Sequence, residues 1–131
     1  MGAFNTKSET ADGMSLPEAL VGQSSLTPRQ LEALQSYLRV ALGEMKYREA
    51  AAGGLPKPVT VGSYFRTVQQ ARDNVRKSIV TLLIGLWVGV VKPEDVRRLL
   101  DVAGSGVREL SDEEAARFVG ALRALIQKIV M

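Results

Sequence analysis

The sequence predicts an all-α protein, a compact bundle of four to five helices built around one long central helix. Three observations predict it. Apolar residues recur at steps of three and four through most of the chain. Serine or threonine followed three residues later by glutamate or glutamine marks several helix starts. Glycine and proline punctuate the stretches between them. At 131 residues, 46% hydrophobic and 24% charged, the chain has the size and balance of one globular domain that can bury a core.

Residues 1–15 mix Lys7, Glu9 and Asp12 with small polar residues and lack the layout of a secretory signal, so they read as a mobile tail before a single helical domain over residues 16–131. Ser15-Leu16-Pro17-Glu18 forms a capping box and starts a short helix to about Val21. Thr27-Pro28-Arg29-Gln30 repeats the signal, and Leu31, Leu34, Leu38, Ala41, Leu42 and Met45 then predict a helix ending near Ala50. Gly53-Gly54, Pro56 and Pro58 interrupt, and Val59-Thr60-Val61 has the composition of one very short strand.

From Ser63 as N-cap, Phe65, Val68, Ala71, Val75, Ile79, Leu82, Leu83 and Leu86 outline the central helix. Its first half, to Lys77, is amphipathic. Ile79 and Val91 bound a second half that is apolar almost all round, which predicts the packed centre of the fold, with Trp87, Phe65 and Phe118 as core side chains. Gly85 and Gly89 offer either a close helix approach or a helix end. Lys92-Pro93-Glu94-Asp95 opens a further helix with Val96, Leu99, Leu100 and Ala103 as its inner stripe. Ser111-Asp112-Glu113-Glu114 caps the last, whose stripe of Ala115, Phe118, Val119, Leu122, Leu125, Ile126, Ile129 and Val130 predicts docking or pairing with a second copy.

The chain contains neither cysteine nor histidine, which removes disulfides, the usual zinc ligands and the usual activators of a nucleophile. Its acidic pairs, Glu94-Asp95 and Asp112-Glu113-Glu114, lie in first helical turns, where the helix dipole accounts for them. Gly53-Gly54 and Gly104-Ser105-Gly106 lack the lysine and hydroxyl residue of a phosphate-cradling loop. No enzyme activity, metal or cofactor is expected. The apolar run is shorter than the roughly 20 residues a membrane helix needs, so no membrane association and a cytoplasmic location are expected.

The charge is uneven. Between residues 57 and 77, Lys57, Arg66, Arg72, Arg76 and Lys77 face Asp73 alone, a surplus of four, while the other 12 basic and 13 acidic residues nearly cancel. A concentrated cationic stretch is the footprint that a phosphate backbone selects. Arg66, Arg72, Arg76 and Lys77 suit phosphate contacts, Gln69, Gln70 and Asn74 suit base edges, and Tyr64 suits phosphate or sugar. These residues predict a small nucleic-acid-binding protein, with DNA the first choice, as in a transcription regulator or nucleoprotein component.

Residues 59–72, Val-Thr-Val-Gly-Ser-Tyr-Phe-Arg-Thr-Val-Gln-Gln-Ala-Arg, resemble the turn and recognition helix of helix-turn-helix regulators. The resemblance covers about 20 residues and implies major-groove docking by the second helix. It departs from the family just before the turn, where Gly53 to Pro58 replace a helix. The alternative reading is a helical protein–protein interaction module, or a subunit of a larger complex, that buries the apolar run or the C-terminal stripe, as a homodimer among other arrangements.

Overall fold

A computed structural model describes residues 15–53, 59–105 and 110–131. The protein is all-α, with six α-helices and no strand among the described residues. The tail expected over residues 1–15 lies outside them apart from Ser15, as does Lys57. The helices are α1 (Leu16–Leu20), α2 (Pro28–Ala41), α3 (Tyr47–Gly53), α4 (Val61–Val88), α5 (Pro93–Ser105) and α6 (Asp112–Ile129), with a 3₁₀ turn at Val21–Gln23. They form two units, one over Val21–Ser78 and one that joins residues 15–20 to Ile79–Met131. The long helix α4 contributes to both.

Three helix starts form through the capping geometry that the sequence specifies. Ser15, Thr27 and Ser111 each accept from the backbone amide three residues on, and Glu18, Gln30 and Glu114 each reach back to the cap amide. Each reciprocal pair satisfies two amides that the first turn would otherwise leave without acceptors.

Two boundaries differ from expectation. The helix expected to continue to Ala50 stops at Ala41, because Gly43 turns the chain with φ +80° and the Glu44 amide bonds Arg39 O. The chain restarts as α3 with Glu49 capping the Lys46 amide at 2.8 Å. Where Val59-Thr60-Val61 suggested a strand and Ser63 an N-cap, Thr60 is the cap: its hydroxyl accepts from the Ser63 amide at 3.0 Å and its carbonyl from Tyr64. The Val59 amide, with no strand to join, bonds Ala51 O.

The Val21–Ser78 unit closes around Ala33, Ala50, Ala51, Tyr64 and Val68, with Tyr37, Val40, Met45, Val59 and Val61 packed against them. Alanine on α2 and α3 leaves room for the Tyr64 ring, which is fully buried. In the other unit α6 packs against α1 and α5. It buries Ala115, Val119, Leu122 and Ile129, and Arg123 donates to Ala19 O at 3.1 Å. The Met131 amide donates to Val90 O at 3.0 Å, so the end of α6 is docked, as its apolar stripe predicts.

Gly89 ends α4 at φ +98°, and the amides of Gly89, Val90 and Val91 all converge on Gly85 O. The chain then folds back so closely that a Cβ on Gly85 would lie 3.3 Å from Val91 Cγ2. Of the two roles open to this glycine pair, Gly89 makes the helix end, and Gly85 admits the returning chain.

The largest departure concerns the apolar half of α4. Expected at the packed centre, residues 79–90 are mostly exposed: Trp87 is 76% accessible, Val88 70% and Ile79 62%, while Val91 beside them is buried. Phe65, also expected inside, is partly exposed and rests against the Tyr47 ring at 4.5 Å. Leu100, assigned to an inner stripe, faces solvent too.

Candidate functional site

The features that stand out both lie along α4. Side chains at 66, 70, 73, 77, 80, 84 and 87 recur at alternating steps of four and three, so they line one side of the helix. The opposite side carries the buried Tyr64, Val68 and Ala71. The outer line is charged or polar as far as Lys77 and then becomes Val80, Ile84 and Trp87.

The sequence-derived contact residues divide into several groups. Tyr64 belongs to the core instead of the polar face. Its hydroxyl lies 2.7 Å from Ser36 Oγ and 3.4 Å from Ala33 O, so it is withheld from any phosphate. Burial pushes the Tyr64 phenol up from its ordinary value, against the lowering effect of the Ser36 hydrogen bond. Helical spacing predicts Phe65 as the inward residue, one position and about 100° away on the helix. Tyr64 takes the inner place because its hydroxyl finds a partner on α2.

Asn74 is also engaged within the chain, donating to Ser25 O at 3.2 Å and Gln30 Oε1 at 2.9 Å. It ties the segment before α2 to α4, and base reading would cost those bonds. Arg76 pairs with Asp73 at 2.7 Å, with both side chains more than half accessible. An exposed i,i+3 pair contributes little stability, yet it neutralises one of the proposed phosphate ligands. Arg72 lies over the Tyr37 ring, 5.3 Å from its centroid, and donates to Gln69 Oε1 at 3.3 Å. Arg66, Gln69, Gln70 and Lys77 are exposed along the helix. Lys57 lies outside the described residues.

The apolar half carries the more unusual chemistry. Residues 78–91 include no ionisable side chain, and Ile79, Val80, Leu82, Leu83, Ile84, Trp87, Val88 and Val90 are all substantially accessible. The bond from the Met131 amide to Val90 O carries the patch onto Val130 and Met131, themselves exposed. A soluble monomer's largest apolar patch is typically about 300–600 Å² and often functional. A hydropathy profile cannot separate this face from a core helix, since both are apolar. The signal in the sequence is the phase: carried past Lys77, the solvent line of the polar half runs directly into Val80, Ile84 and Trp87.

The acidic pairs behave as helix starts. Glu94 and Asp95 open α5, with Asp95 3.5 Å from Arg98, and Glu114 closes the Ser111 box. No cluster of three metal-ligating side chains occurs among the described residues, and none of their helices is long and apolar enough to cross a membrane. The chain matches no protein-family model, no curated protein and no solved structure.

Proposed function

We propose that this protein is a helical interaction module, without a reaction of its own, that buries the second half of α4 against protein. One observation carries the reading: a two-to-three-turn helical segment with no charge, including the only tryptophan, is exposed on most of its circumference. Burial of apolar surface contributes about 25 cal/mol per Å², so covering such a face is strongly favoured over leaving it in water. Absence of charge at the centre of a patch is the composition of interface cores.

The test uses Trp87 as its own reporter, with acrylamide quenching and light scattering on the same sample. Species of higher mass with a shielded indole, or a single chain with an accessible one, are the expected results. A shielded Trp87 in a species of one-chain mass refutes the proposal, because the chain would then be covering its own face.

A second reading has its own observation. Lys57 and the exposed Arg66 keep part of the cationic surplus, with Gln69 and Gln70 exposed on the same helix, which suits a nucleic acid, DNA before RNA. It ranks lower because Tyr64, Asn74 and Arg76 are engaged inside the chain. Affinity for a generic duplex that does not fall from low to moderate salt, or that survives Arg66→Glu with Lys77→Glu, excludes it. Both readings fit a cytoplasmic setting.

A further inference from the structure

Resting on the interaction-module reading, we infer that the partner covering the second half of α4 is a second copy of this chain, packed antiparallel across Ile84. Three features point to self-association. Val80, Ile84, Trp87 and Val88 lie on one side of α4, all at least half exposed, so a second helix can cover the four together. The absence of any ionisable group from residue 78 to residue 91 exceeds the charge depletion of transient interfaces and matches obligate homodimers, which are the most apolar class. A neutral patch is also self-compatible: two copies brought face to face oppose no like charges, as an isologous contact requires.

Charge sets the direction. A parallel pair in register would place Arg66, Asp73 and Lys77 each against its own copy along the seam, three like-charge contacts. An antiparallel pair centred on Ile84 instead sets Val80 opposite Trp87 and Val88 of the partner subunit and Ile84 opposite itself. Val130 and Met131, tied beside Val90, extend the apolar platform at each end of the seam.

Light scattering of the full chain at tens of micromolar should give about twice 14.2 kDa with Trp87 shielded from acrylamide. Ile84→Glu should halve the mass and expose Trp87 while far-UV circular dichroism holds, since Ile84 is half exposed within the chain. Because the protein has no cysteine, Ile84→Cys provides a second test that retains an apolar face. Mild oxidation should link it to itself, whereas Val80→Cys should link only when mixed with Val88→Cys.

A wild-type mass of one chain overturns the inference. If Trp87 is then accessible, the module reading stands with a different partner, and if it is shielded, both fail. A one-chain species that floats with phosphatidylcholine vesicles overturns it in favour of lipid, and equal self-linking by Val80→Cys and Ile84→Cys overturns the antiparallel arrangement.

Discussion

Removing the Tyr64 hydroxyl tests the core of the Val21–Ser78 unit. The Ser36 and Tyr64 hydroxyls lie 2.7 Å apart, with either able to donate, and each also reaches Ala33 O, at 3.1 Å and 3.4 Å. Tyr64→Phe keeps the ring packing and removes one buried hydrogen bond, which costs about 1 kcal/mol net. Ser36→Ala leaves the buried phenol with only the longer contact and costs about 1–2 kcal/mol. The double variant leaves neither partner unsatisfied, so its loss should fall short of the sum by about 0.5–1.5 kcal/mol. Tyr64→Ala, which also empties the ring site between Ala33, Ala50 and Ala51, should cost about 3–5 kcal/mol. Urea denaturation followed by far-UV circular dichroism measures all four, because the single tryptophan lies in the other unit. Additive single-variant losses, or a Tyr64→Phe variant as stable as wild type, would refute the buried pair.

Tyr64 makes stability fall at high pH. Its folded value is raised above the ordinary 10.0, so the stabilisation of the neutral phenol is complete below that pH and is lost as pH rises through the folded value. Ultraviolet titration should resolve one tyrosine that ionises above the ordinary range, and its disappearance in Tyr64→Phe assigns it. Gly89→Ala should cost about 1–2 kcal/mol, since φ is +98° and no atom lies within 4 Å to add a steric penalty. Thermal melts check this, and an unchanged melting temperature contradicts the helix-end role. Ser111→Ala should cost about 1 kcal/mol by removing the α6 cap, while Ser111→Asp should retain most of the stability, as read by urea midpoints.

Several features were legible from residue order because their causes act within one helical turn. The capping boxes at Ser15, Thr27 and Ser111 join residues three apart, and no tertiary contact is needed to specify them. The all-α class and the long α4 follow from periodicity in the same local way. The break at Gly43 is hidden in the sequence because Leu42 and Met45 continue the helical spacing across it, although φ +80° there favours glycine.

What tertiary structure alone decided is which apolar and polar groups found partners. Helical spacing puts Phe65 inside and Tyr64 on the polar face, and the Ser36 hydroxyl on α2 reverses the choice. Asn74 and Arg72 read as part of one solvated recognition face, yet Gln30 and Tyr37 on α2 each engage one of them. Residues 79–90 were apolar on either account. Hydrophobicity is a property of the side chain and burial a property of its neighbours, and in this chain the neighbours leave that half of α4 uncovered.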